Sequence, residues 1–334
     1  MKEYSNYSDL PGEIKNFIKE NLFFSNEYFL LMRKENNNPI ILLNEDFIIP
    51  FIFNKKLCFN RGYFLYEPIP LKENISKKNM QKFLDKCLIY LKEKKKVHFI
   101  TLNPAYTNFK IYPTNSIRIP FANYICNLSL SEDELIANMH SKHRNVIKKA
   151  TKDGVVVKSG NNELLLKDYI KIDNMTWKRS NKKSMGIEFY KKRIECIPNN
   201  CKIYIAYLND EPQAGAFIYF DENYGYYMFG ASIDHPHTGS GNLLQWEIIK
   251  SLKRKGLKSY SFVGCRINED KNSKYHEIQR FKQRFGGEFI EGYMFKSILN
   301  VFMYKLFLFL HKMRGKVSID AVEEEKDKWK ELNS

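Results

Sequence analysis

Apolar positions along the chain switch between two periods, and the switches mark its elements. In the first third, short apolar runs bounded by polar turns predict strands: YFLLMR (28–33), PIILLN (39–44), FIIPFIF (47–53) and GYFLYEPIP (62–70), separated by ENNN and NED. From 77 to 95 the spacing becomes helical, with Met80, Phe83, Leu84, Cys87, Leu88 and Leu91 on one stripe, and VHFITLNP (97–104) then reads as a strand. Residues 131–154 predict a single helix. Ser131 and Glu134 form a capping box, Leu135, Met139, Val146 and Ala150 share a face, Lys148, Lys149 and Lys152 gather at the negative end, and Gly154 is a stop.

The second half starts the pattern again. VVVK (155–158) reads as a strand and ELLLKDYIKIDNMTWKRS (163–180) as a helix. KIYIAYL (202–208), QAGAFIYF (213–220) and NYGYYMFGA (223–231), joined by NDEP and DEN, predict an antiparallel meander. Leu244, Ile248, Ile249 and Leu252 then form a helical stripe that Gly256 ends, and SYSFVG (259–264) is a buried strand. Meander, helix, strand thus occurs twice with no visible sequence repeat.

At 334 residues the chain exceeds what one core usually serves, and 43% hydrophobic with 15% aromatic content excludes general disorder. Lys and Arg number 54 against 38 Asp and Glu, a net charge of +16 that favours nucleic acid, phosphorylated substrates or an anionic membrane surface. A largely solvated lysine surface gives the same surplus. The six cysteines show neither CxxC nor zinc spacing and read as reduced core residues of a cytosolic protein. The stretch MKEYSNYSDL lacks the apolar run of a signal peptide, and no segment is apolar for long enough to span a bilayer.

Candidate chemistry begins at Gly239-Ser240-Gly241, just before the helix of 244–252. Free N–H groups and the positive end of the helix dipole would suit a pyrophosphate there, and glycine permits close approach; a surface turn is the plain alternative. Lys142 and Arg144 read as phosphate contacts or as a solvated helix face. Thr176, Lys178 and Arg179 offer contacts to an acceptor diphosphate, and one of Tyr226 and Tyr227, on opposite strand faces, would line a cleft. No GxSxG is present, and the HxH of His235 and His237 lacks a third ligand, so no metal is expected.

Strand, GxG loop, helix and strand resemble the GNAT acyltransferases, whose loop holds the pyrophosphate of CoA, although Pro236 stands where their consensus has Gln or Arg. KHRNVIKKATKDGVVV (142–157), YYMFGAS, LLQWEIIKSLKRKG, YSFVG and RFKQRFGGE (280–288) together resemble the FemABX-type transferases over about residues 130–295. The resemblance implies an α/β (α+β) fold of two tandem GNAT-like domains: 1–150 on the acceptor side, 151–296 on the donor side, with 297–334 a helical tail. It implies an N-acyltransferase that moves an aminoacyl group from aminoacyl-tRNA, or an acyl group from acyl-CoA or a carrier protein, onto an amine of a cell-wall or surface glycan precursor. It places Lys282, with Phe281 beside it, at the reacting centre. No permanently bound cofactor is implied; aminoacyl-tRNA or acyl-CoA is the co-substrate. A non-catalytic nucleic-acid binder is the weaker reading, since no RNA-binding signature appears.

The tail segment SILNVFMYKLFLFLHKMRGK (297–316) is strongly apolar with cations interspersed. Docking onto the second domain is the favoured reading. The other is peripheral contact with the inner face of the membrane, where a cytoplasmic enzyme would meet an anionic, lipid-linked precursor.

Overall fold

The computed structural model describes residues 1–267 and 274–313. The last part of the tail, including Arg314, Lys316 and EEEKDKWKELNS (323–334), lies outside them. The chain divides into two compact units. Unit one holds residues 1–19, 23–122 and those from 291 onward, and unit two holds 20–22 and 123–290.

Unit one contains β1 (Lys2–Tyr4), α1 (Gly12–Ile18), α2 (Asn26–Lys34), β2 (Asn38–Leu43), β3 (Phe47–Lys56), β4 (Phe59–Phe64), β5 (Ile69–Pro70), α3 (Lys77–Lys95) and β6 (Phe99–Ile100). Its sheet runs β1-β2-β3-β4-β6, antiparallel except where β4 and β6 pair in parallel, Arg61 beside Phe99. A helical crossover joins those two strands, as a parallel pair requires. The sheet is covered on both faces because successive strand residues point opposite ways. Phe64 and Ile100 belong to the core of Phe83, Leu84, Cys87 and Leu91 from α3. Phe59 and Phe99 instead pack with Tyr304 and Phe307 of α10 (Val301–Met313). The apolar tail helix therefore docks on the first unit rather than the second, where the outward strand positions Phe59 and Phe99 meet Tyr304 and Phe307.

The run YFLLMR is helical, not extended. The Ser25 hydroxyl accepts from the Tyr28 N–H at 3.1 Å and caps α2, and Tyr28, Phe29, Leu31 and Met32 are buried while Leu30 is exposed. That burial has the helical period, and the run has no β-branched residue to favour a strand.

Unit two contains α4 (Glu132–Asn138), α5 (Ser141–Lys152), β8 (Val156–Gly160), α6 (Glu163–Arg179), α7 (Ile187–Cys196), β9 (Cys201–Leu208), β10 (Glu211–Phe220), β11 (Tyr224–Ser232), α8 (Ser240–Arg254), β12 (Ser259–Ser261), β13 (Cys265–Arg266) and α9 (Lys274–Gln283). The strands β7 (Ile117–Asn127) and β14 (Glu288–Ile298) carry the chain from one unit to the other. The order in unit two is β8-β9-β10-β11-β12-β7, with β11 and β12 the parallel pair. Each unit thus repeats meander, helix, parallel strand. The division lies at 122/123 and 290/291 instead of 150 and 296, since α5 packs on α8 of unit two and α10 on unit one.

The helix read over 131–154 is two helices. The capping box of Ser131 and Glu134 is present and Gly154, at φ +88°, ends α5, but Met139 and His140 are extended and His140 Nδ1 accepts from the Lys142 N–H at 3.1 Å. A second start signal inside the run breaks it.

One buried carboxylate ties α6 to α7. Asp173 is 1% exposed; its Oδ1 accepts from Trp177 Nε1 at 3.0 Å and from the Tyr190 hydroxyl at 3.2 Å, and its Oδ2 accepts from Ser184 Oγ at 2.7 Å. Removing it strands one buried donor, Tyr190, and two half-buried ones, Trp177 and Ser184, at up to about 1–3 kcal/mol each. Asp173→Ala is expected to lower unfolding free energy in urea by at least about 3 kcal/mol, and Asp173→Asn by distinctly less.

Candidate active site

The site expected from the sequence lies in unit two around α5. At one end of α5 is the Gly239–Gly241 loop. Gly239 has φ +87°, and a Cβ there would lie 2.2 Å from the Val146 carbonyl oxygen and 3.1 Å from the Ala150 Cβ. The close approach that this glycine allows is therefore taken by the α5 backbone. Ser240 is buried, and its N–H donates to the His237 carbonyl at 3.0 Å. Only at Gly241 would a Cβ meet open space. Of the three expected cradle residues, Gly241 borders open space, Gly239 packs on α5, and Ser240 is buried.

The loop is braced from behind. Thr176 Oγ1 accepts from the Ser232 N–H at 2.8 Å, and Arg179 donates to the Ser232 carbonyl and Oγ, both at 3.0 Å, and to Asp234 Oδ1 at 2.7 Å. His237 lies 2.8 Å from Asp153 Oδ2, and its N–H donates to Gln213 Oε1 at 3.0 Å. The hydrogen bonds from Lys149 and His237 hold the Asp153 carboxyl below its usual range. Thr176 and Arg179, expected at an acceptor diphosphate, instead fix the end of β11; Lys178 between them is exposed.

At the other end of α5 is Lys282 of α9. It is 8% exposed, and its ammonium donates to the carbonyls of Val263 and Gly264, the latter at 2.5 Å. Both residues are in the left-handed region, Val263 at φ +39° and Gly264 at φ +46°. Such a conformation is costly for a β-branched residue and survives only where its surroundings impose it. Here it turns two consecutive carbonyls onto one cation. Burial lowers the Lys282 pKa to about 8, with Cys265 opposing slightly. The group is thus poised between ammonium and amine just above neutrality.

An aromatic ladder surrounds it. The His143 ring lies 5.4 Å from Phe281 and 4.6 Å from Phe285, and Phe285 stacks on Phe262 at 4.9 Å. Tyr227 meets Phe262 edge-on at 6.4 Å, and its phenol, pushed up to about 12 by burial, bonds Gln245, which also accepts from Tyr260 at 2.7 Å. Burial, with Arg284 and His140 nearby, lowers His143 to about 4, so it is neutral at pH 7. The three consecutive residues 142–144 do not form one patch. Lys142 is exposed, His143 is buried, and Arg144 donates to the carbonyls of Ala137, at 3.2 Å, and Met139, clamping the break between α4 and α5.

Lys282, Phe281 and Tyr227 thus form one neighbourhood, and α5 separates it from Gly239. A cavity of about 310 Å³ beside Phe285 and Gly286 includes neither Lys282 nor the glycine loop. Gln245 and the Val263–Gly264 turn were not legible in the sequence. A glutamine inside the apolar stripe of α8 was the one available signal. Gly239→Ala should lower stability by about 2 kcal/mol or more through the left-handed strain and the contact with Val146, measured by chemical denaturation, whereas Gly241→Ala should change it by less than about 1 kcal/mol.

Residues 105–213 match the FemAB family. That segment contains Lys142, Arg144, Thr176, Lys178 and Arg179 but ends before Gly239 and Lys282. Over 95 residues, 28% of this chain, the sequence is 32% identical to the Lipid II:glycine glycyltransferase of Staphylococcus haemolyticus (strain JCSC1435), and the match spans 23% of that relative. FemX has the same fold, with a TM-score of 0.65 over 92% of this chain and 99% of its own at 15% identity. A tandem GNAT protein from the clavulanic acid biosynthesis pathway superposes at 0.50 over 83% of this chain and 88% of its own, at 6% identity. Residues 105–213 are thus similar to the FemAB family, the chain spans less than a quarter of the length of the curated relatives it matches, and its fold is that of FemX.

Proposed function

We propose that the chain is an N-acyltransferase that moves an aminoacyl group from aminoacyl-tRNA onto an amine of a peptidoglycan precursor. The observation that carries this reading is the buried Lys282 ammonium, pinned by two backbone carbonyls and flanked by Phe281. The amine attacks the ester carbonyl of the donor, a tetrahedral oxyanion forms, the carbon–oxygen bond to the ribose breaks, and the amine loses its proton as the tRNA hydroxyl regains one. Lys282 keeps one ammonium hydrogen beyond those given to Val263 and Gly264, and a fixed positive donor in a dry site stabilises such an oxyanion strongly. Phe281 lines the approach, and Tyr227 with Gln245 closes its far side. No covalent intermediate on the protein is needed.

The net charge of +16 supports a polyanionic donor. Acyl-CoA is the second reading, and Gly241 at the start of α8 is the observation that favours it. Against it, Gly239 is packed on α5 and the Ser240 N–H is already bonded. Lys142 and Lys178, both exposed, are the remaining cations placed to meet phosphates of donor or acceptor. The Lipid II named for the relatives makes a lipid-linked muropeptide the first acceptor to test.

Incubating the protein with labelled aminoacyl-tRNA or acyl-CoA and a lipid-linked muropeptide should transfer label only from the tRNA; transfer only from acyl-CoA would reverse the choice. Lys282→Met should lower kcat by about 100-fold or more while the far-ultraviolet circular dichroism stays native. The active form is the ammonium, so kcat/KM should fall as pH rises through about 8. The folded chain releases this proton at lower pH than the unfolded chain, so Lys282 costs stability at neutral pH, and that cost fades between about 8 and the unfolded value of about 10.4. Lys282→Arg should move the alkaline limb upward; a limb that stays in place would mean another group sets it.

A further inference from the structure

Unit one contains a second built feature, and the transfer chemistry above does not use it. Between β4, β6, β14 and α10 lies a cavity of about 390 Å³. Its walls bring together Arg61, Lys296 and His311, and none of its lining residues is a carboxylate. Lys296 is 1% exposed, and its ammonium donates to the Tyr304 hydroxyl at 2.8 Å. Arg61 is half-buried, with its guanidinium 6.0 Å from the Phe307 ring centre, and its side chain makes no hydrogen bond or ion pair with the described residues. A smaller cavity of about 150 Å³ continues from Arg61 and His311 to Lys56 and Leu57 at the tip of the β3–β4 hairpin. Holding the Arg61 guanidinium against the apolar wall of this cavity costs desolvation that an anion would offset.

The rim of that corner is apolar and exposed. On α10, Phe302, Phe309 and Met313 are 75%, 60% and 69% exposed, and their spacing of seven and four residues puts them on one stripe. Lys305 and Lys312 are exposed beside it, and Leu57 at the hairpin tip is also exposed. The opposite face of α10 is committed to Phe59 and Phe99. An apolar stripe edged by long cations, on a helix already anchored by its other face, has the composition of an interfacial element. Among the described residues no helix is long and apolar enough to cross a membrane.

We propose that this corner of unit one seats the phosphate group of an anionic phospholipid, with the outer stripe of α10 and Leu57 lying among the acyl chains at the bilayer surface. Charge complementarity selects the occupant: Arg61, Lys296 and His311 meet the phosphate, Lys56, Lys305 and Lys312 meet neighbouring headgroups, and Phe302, Phe309 and Met313 meet hydrocarbon. A soluble anion would satisfy the cations and leave the stripe in water.

Co-sedimentation of the full chain with vesicles tests this. Wild-type protein is expected to bind equimolar phosphatidylglycerol–phosphatidylcholine vesicles, less so as salt is raised, and to ignore phosphatidylcholine alone. The double variant Phe302→Glu, Phe309→Glu changes only exposed positions; it should keep the wild-type melting temperature and lose about tenfold or more in vesicle affinity. Arg61→Gln should lose about fivefold and Arg61→Lys much less. Equal binding to neutral vesicles, or wild-type binding by the double variant, would overturn the bilayer assignment; wild-type binding by Arg61→Gln would overturn the phosphate seat. Calorimetric titration with inorganic phosphate separates the sources. Binding that is lost in Arg61→Gln and unchanged in the double variant, without any vesicle binding, would mean a soluble phosphate ligand and end the lipid proposal.

Discussion

A buried ammonium has to find acceptors, and in unit two it finds them in the backbone. The carbonyls of Val263 and Gly264 face Lys282 because both residues adopt left-handed conformations directly after β12. That turn is unfavourable for valine by itself, so the cation and the turn hold each other in place. Neutral carbonyls hold the lysine without neutralising it. A carboxylate partner would have raised its pKa, whereas burial among dipoles lowers it to about 8. This is the difference between an ion pair and a buried cation whose charge no partner cancels.

The packing of α5 follows from that arrangement. Its buried His143 stays neutral between Phe281 and Phe285, so a second charge is not placed next to Lys282. Its other end lies against Gly239, where no side chain fits. The glycine loop and the lysine are thus related through one helix, which the loop meets at Val146 and Ala150 and the lysine's neighbour Phe281 meets at His143. The braces from Thr176, Arg179 and Asp153 hold the loop's other side, and residues that look like ligands for phosphate are used to shape it.

Unit one applies the same topology to a different end. Its sheet buries α3 on one face and α10 on the other, and α10 is only half satisfied by that contact. Lys296 comes from β14 and His311 from α10, so these two elements and Arg61 of β4 together build the corner. The feature joins Lys296 and His311 to Arg61, more than 200 residues earlier in sequence, which is why no local motif announces it.

The sequence by itself determined the repeated meander–helix–strand order, the capping box at Ser131, the full extent of α3 and the stop at Gly154, because each depends on residues within a few turns of one another. It also pointed to Lys282 and the FemABX-type fold through short motifs. It misread YFLLMR, where Ser25 and a period of burial decide between helix and strand, and it ran α4 and α5 together because the break depends on His140 and on Arg144 reaching back to two carbonyls. Only the tertiary structure decided which polar groups remain available. Thr176, Arg179 and Gly239 are ordinary candidates in one dimension; in three, their donors and space are taken by neighbours distant in sequence, while Lys282 is buried, lowered in pKa and still cationic. Burial and hydrogen-bond satisfaction are properties of what surrounds a residue, and that is settled only when the chain has packed.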